Sequence, residues 1–137
     1  MASKKYLLDS NICIHLLRNR TDVIEGIHRV GWTNCCISEL TVVELFYGAE
    51  CSSMPKANYE VIETFVNSIT VLPISSCIRE FCRQKANLRK QGLLIEDFDM
   101  FIGCTAVVNK CTVVTENVKQ KTAMLLRHQY NQYRGRE

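Results

Sequence analysis

Asp9, Glu44, Asp99 and Asn117 are the side chains whose types and placing in this 137-residue sequence could do chemistry together. Asp9 closes the apolar run of "KYLLDSN" and precedes a helical pattern of Ile12, Cys13, Leu16 and Leu17. A carboxylate there is either a helix cap or a ligand. Glu44 stands among large apolar residues in "TVVELFYG". An acid in such surroundings is costly to bury unless it is paired, hydrogen-bonded or metal-bound; an amphipathic helix that turns it outward is the alternative. Asp99, in "EDFDMFIGCTA", is followed at helical spacing by Ile102, Gly103 and Ala106, so its helix can approach a neighbour's backbone closely. Glu96, Asp97 and Asp99 would also complement a helix N-terminus, with Asp97 the better cap because it directly precedes the helical pattern. Jointly, three acids and an amide at strand ends or inward helix positions describe an oxygen-rich site for Mg²⁺ or Mn²⁺. Such a cation recruits a phosphodiester and activates a water to attack phosphorus.

The elements that must position these residues alternate along the chain. "KYLL" reads as a buried strand and "NICIHLLRN" as the helix after it. "DVIEGIHRVG" reads as a helix capped at Asp22 and stopped at Gly31. "TNCCIS" is a second strand, after which Ser38 caps "ELTVVELFYGAE", with Leu40, Val43 and Tyr47 on one face. "MPKANYEVIETFVNSI" starts a helix at its proline, "TVLPI" is a third strand, and "SSCIREFCRQKANLRKQG" is a long helix ending at Gly92. "LLIEDFDMFIGCTAVVNK" is an acidic turn entering an apolar helix, and "CTVVTEN" is a fourth strand. Strands separated by helices imply an α/β fold, with right-handed crossovers and a parallel sheet covered on both faces. Sites in such sheets form beyond the carboxyl ends of the strands, where Asp9 and Asn117 fall.

Composition narrows the class. The length suits one domain, and no apolar run approaches the roughly 20 residues of a membrane span. The start "MASKKYLLD" has no signal-peptide core, so the expected location is cytoplasmic, with no membrane partner. Eight cysteines form no CxxC pair, and most sit in apolar stretches, where a free thiol acts as a small hydrophobe. The net charge of +3 comes from the tail: residues 118–137 hold five basic groups and one acid, leaving 12 basic and 13 acidic groups in the rest. A nearly neutral body does not announce nucleic-acid binding by bulk charge. The basic run Arg79, Arg83, Lys85, Arg89 and Lys90 is either a solvated helix face or an RNA-backbone surface. Arg18 and Arg20, near the first strand's outlet, are better placed to meet phosphate or a partner's carboxylate. His15, His28 and His128 are isolated and suit surface or packing roles.

At these three acids and the amide the chain resembles PIN-domain ribonucleases, specifically the toxin component of VapBC-type toxin–antitoxin pairs. "YLLDSN" looks like the family's opening motif, with Ser10 where Thr is more usual. "ISELTVVELFYGAE" is similar to the second motif, placing its acid on Glu44. "DFDMFIGCTAV" resembles the third, with Asp99 as its acid and Gly103 where Ala is more common. "VVTEN" resembles the fourth, placing Thr115 and Asn117. The resemblance spans roughly residues 4–118. It implies a three-layer α/β/α sandwich around a mostly parallel sheet of four or five strands. It also implies Mg²⁺- or Mn²⁺-dependent endoribonuclease activity on tRNA or ribosomal RNA, a homodimer, and inhibition by a cognate antitoxin. Asp9, Glu44 and Asp99 would then bind metal, Asn117 would assist through water, and Asn11, Thr115 and Asp97 would support them.

The chain departs from that pattern after "ENVK". Residues 1–118 match a PIN domain, whereas 119–137 form a divergent basic segment that completes or flanks it. The stretch "TAMLLRHQYNQY" shows no clear strand and reads as a helix or as an unpaired tail that binds RNA by charge. A non-catalytic PIN-fold interaction module is the alternative function. A phosphatase with Asp9 as nucleophile is disfavoured, because it needs a second Asp two residues on and position 11 is Asn.

Overall fold

A computed structural model describes residues 4–116 and 130–132. Strand β1 (Lys5–Leu8) runs from solvent into the core, and its last two residues, Leu7 and Leu8, are fully buried on opposite faces. Asp9 then caps α1 (Ser10–Leu17), and α2 (Thr21–Val30) follows. The chain leaves α2 at Gly31, whose φ of +93° is reached without strain only by glycine. A single 3₁₀ turn over Trp32–Asn34 leads into β2 (Cys35–Ser38). The hydroxyl of Ser38 accepts from the Leu40 amide at 3.1 Å and starts α3 (Glu39–Glu50). Then come α4 (Pro55–Asn67), with proline in its first turn, and β3 (Thr70–Leu72). Helix α5 (Ile78–Lys90), α6 (Asp97–Asn109) and β4 (Cys111–Thr115) complete the order up to residue 116.

The sheet is parallel throughout, in the order β3-β2-β1-β4-β5, where β5 is Tyr130–Gln132. Side chains alternate across it. Leu8, Cys35, Ile37 and Val114 pack with α1–α4, around Ile12, Val23, Leu45 and Phe65. Leu7, Cys36, Cys111 and Val113 pack on the other face with α5 and α6, around Leu88, Met100, Ile102 and Cys104. This is the expected three-layer α/β/α sandwich. The crossovers after β1 and β2 carry the chain toward β3, while β4 lies on the opposite side of β1. Strand order therefore reverses between β1 and β4, and the ligand crevice of such a sheet opens there.

Several details differ from expectation. Residues 130–132 pair with Val113–Thr115, so a fifth strand exists where the sequence suggested a helix or an unpaired tail. Three residues in a strand leave too little periodicity to read. Residues 122–129 of that stretch, and Asn117 and His128, lie outside the described residues. The shared face of Leu40, Val43 and Tyr47 is the outer one: Val43 and Tyr47 are 52% and 69% exposed, while Thr41, Leu45 and Ala49 are buried. Helical spacing shows which residues share a face, not which face meets the sheet. Asp22 lies in the first turn of α2, whose cap position is Arg20. Of the cysteines, Cys51 and Cys82 are exposed and the other six are buried.

Candidate functional site

Beyond the carboxyl ends of β1 and β4 lies a cleft of about 90 Å³, lined by Asp9, Ser10, Asn11, Glu44, Phe98, Asp99 and Ile102. Asp9 is 5% exposed and does two things at once. One carboxylate oxygen accepts from the Ile12 amide at 3.1 Å, capping α1, and the other accepts from the buried Thr115 hydroxyl. The Asp9 amide donates to the Val114 carbonyl at 3.2 Å, which fixes the residue to the end of β4. Cap and candidate ligand are thus the same side chain. Capping leaves its charge in place, because a carboxylate has lone pairs to spare.

Glu44 comes from the second turn of α3 and is half-buried rather than turned to solvent; its carboxylate accepts from the Ser10 hydroxyl. Asp99 is half-buried in the first turn of α6, where the helix dipole favours negative charge. Ile102, Gly103 and Ala106 behind it are buried. Asn11 is exposed on the cleft wall. Asp97 does not line the cleft: it pairs with Lys85 Nζ at 2.9 Å, and the cap position of α6 belongs to Glu96. The expectation of Asp97 as a cap is therefore not met, because the helix begins one residue earlier.

The cations also sort themselves. Arg18 is exposed at the end of α1. Arg20 instead binds Asp22 through Nε at 2.8 Å and Glu116 through a terminal nitrogen at 3.0 Å. His15 reaches the same Glu116 at 2.9 Å, so it is not isolated. These contacts tie the α1–α2 turn to the end of β4. No local signal announced them, since His15 and Glu116 are 101 positions apart. The cations of α5 stand exposed, and Arg83 and Lys85 are engaged by Glu80 and Asp97. That is the solvated-face reading. Sequence reasoning also passed over Phe98 on the cleft rim, although an aromatic between two acids at a helix start was a readable sign.

Asp9, Glu44 and Asp99 offer this cleft carboxylate oxygens, and among the described residues neither Lys nor Arg lines it. Among the described residues, no three Asp, Glu, His or Cys side chains converge into a preformed cage. Mg²⁺ does not need one, since it keeps several waters and is commonly held by one or two carboxylates plus phosphate. The donor chemistry fits such an ion.

A parallel α/β/α sandwich with carboxylates at its switch point defines a class, and the comparisons agree: the PIN-domain model matches residues 6–123. The chain belongs to the PIN-domain family and, within it, to the VapC group. It is 36% identical over 117 residues to the tRNA(fMet)-specific endonuclease VapC of Shigella flexneri, covering 85% of this chain and 89% of that protein. Ribonuclease VapC2 of Haemophilus influenzae matches equally, at 36% over the same shares. Among solved structures, DNA-bound VapBC from Salmonella typhimurium superposes with a TM-score of 0.85 at 27% identity, over 95% of this chain and 98% of that one. VapBC-1 from nontypeable Haemophilus influenzae gives 0.81 at 28%, over 93% and 97%.

Proposed function

We propose that this chain is an endoribonuclease toxin of the VapC type, dependent on Mg²⁺ or Mn²⁺ and silenced by a cognate antitoxin. The single observation that carries this reading is that Asp9, Glu44 and Asp99 line one cleft, in a chain of VapC membership. Asp9, Glu44 and Asp99 would hold the ion, which when bound supplies a Lewis acid and an activated water. The chain's own part is positioning. Thr115 and the Ile12 amide orient Asp9, and Ser10 orients Glu44. Phe98 offers an apolar rim to the cleft. Asn117 would assist through water.

Relatives that act on tRNA(fMet) make a tRNA the first substrate to test, and neighbours solved as VapBC pairs make a small antitoxin the expected partner. A cytoplasmic homodimer is part of the same reading. So is a single domain in which residues 119–137 complete the fold begun by 1–118, supported by the pairing of β5 with β4. The test is cleavage mapping of total tRNA by purified protein with Mg²⁺ or Mn²⁺, beside Asp99→Asn. Metal-dependent cleavage that vanishes in the variant is expected. Failure of the wild type to cleave RNA or to bind either ion would leave a non-catalytic interaction module.

A further inference from the structure

At the opposite edge of the sheet the amino ends of the strands enclose a second cavity, of about 170 Å³. Lys5, Cys35, Cys36, Leu72, Asn109 and Cys111 are among its walls. Cys36 on β2 and Cys111 on β4 point into the same face of the sheet, and their sulfurs lie 3.8 Å apart. Both side chains are more than nine-tenths buried. The Cys36 thiol also lies 3.4 Å from the Tyr6 carbonyl, and the Cys111 thiol 3.6 Å from that of Asn109.

Two buried thiols this close invite three readings. A disulfide is hindered, because β1 lies between β2 and β4. Two strand spacings put the α-carbons roughly 9 Å apart, beyond the ~7 Å that a disulfide bridges without backbone movement. A zinc site wants about four ligands, and no third Cys, His, Asp or Glu completes a cluster among the described residues. Two metal–thiolate bonds of about 2.3 Å in line span about 4.6 Å, so the sulfurs need part by less than about 1 Å to hold one ion between them.

We propose that Cys36 and Cys111 form a two-coordinate thiolate site for a soft monovalent cation, Cu(I) or Ag(I). Thiolates select such ions. Binding is an exchange without redox change: two S–H bonds break, two S–metal bonds form, and two protons leave to solvent. The product carries one net negative charge, which Lys5 on the cavity wall offsets. The hydrogen bond from Cys36, and after it Lys5, holds the Cys111 thiol below its ordinary pKa, while the same hydrogen bond and burial push the Cys36 thiol up.

The experiment uses protein with Cys51→Ser and Cys82→Ser, which removes the two exposed thiols among the described residues. It is titrated anaerobically with Cu(I) buffered by bicinchoninate, and the product is weighed by native mass spectrometry. One Cu(I) per chain is expected, with a mass gain of the ion less two protons. Cys36→Ser and Cys111→Ser should each weaken uptake by at least about a hundredfold. Lys5→Gln, which leaves both sulfurs intact, should weaken it by roughly tenfold. No uptake by the starting protein, or undiminished uptake by either serine variant, overturns the site. Should the serine variants fail to fold, unchanged affinity in Lys5→Gln overturns it instead. RNA cleavage plays no part in the readout, so the result stands apart from the nuclease assignment.

Discussion

At the carboxyl ends of the strands the chain gathers oxygens, and at the amino ends of the same strands it gathers sulfurs. The difference follows from what a parallel sheet offers at each end. Helices begin at the carboxyl edge, so free amides such as that of Ile12 are available to hold the Asp9 carboxylate in place. Helices end at the amino edge, where carbonyls such as that of Asn109 project and thiols can donate to them. One edge is therefore suited to anions and hard cations, the other to neutral thiols or to a soft cation.

The largest expected effect tests whether Asp9 is more than a cap. Asn caps as well as Asp but lacks the charge. Asp9→Asn should lower RNA cleavage by roughly a thousandfold while moving the urea midpoint little, whereas Asp9→Ala should lose the cap as well, costing about 1 kcal/mol more stability. Equal cleavage by wild type and Asp9→Asn would reduce that edge to helix capping. Leu7 supports both edges from the middle strand. Leu7→Ala should cost about 2–5 kcal/mol in urea unfolding and impair cleavage and Cu(I) uptake together; impairment of one alone would show that the edges are supported separately.

Smaller effects separate the edges. Thr115→Val keeps the shape and removes the donor to Asp9, so metal affinity measured by Mn²⁺ titration should fall about 10- to 100-fold, with Cu(I) uptake unchanged. The smallest concerns alkaline pH. Burial pushes the Cys35 thiol up to about 11 and Cys104 to about 12, from an ordinary value of 9.0. The unfolded chain releases these protons first, so their contribution to stability is complete below pH 9 and falls as pH rises from 9 toward about 12. Thermal melting at pH 8, 9, 10 and 11 checks this: a flat profile would mean the thiols are not shielded as the sheet implies.

Much of the carboxyl edge was legible because strand-to-helix transitions leave local marks. "LLDSN", Ser38 and the glycines at 31 and 92 mark boundaries through capping and backbone freedom, which depend on neighbours in sequence. Asp9, Glu44 and Asp99 could be grouped from their strand-end or inward-facing contexts together with a known family order. What stayed hidden was relative placement across strands. The contacts of Glu116 with His15 and Arg20 join segments about a hundred residues apart. The outward turn of Val43 and Tyr47, and the shift of Asp97 to Lys85, depend on how each helix rotates against the sheet.

By itself, the sequence determined the alternation of strands and helices, the parallel sheet and the oxygen-bearing residues at its carboxyl edge. Hydrophobic period and capping chemistry are short-range, so they can be read from adjacent residues. The tertiary structure alone decided that one carboxylate both caps and faces the cleft, and that a fifth strand joins β4. It also decided that Cys36 and Cys111, 75 positions apart, meet across an intervening strand. Strand order and twist bring such atoms together, and neither is written in any local stretch of the chain.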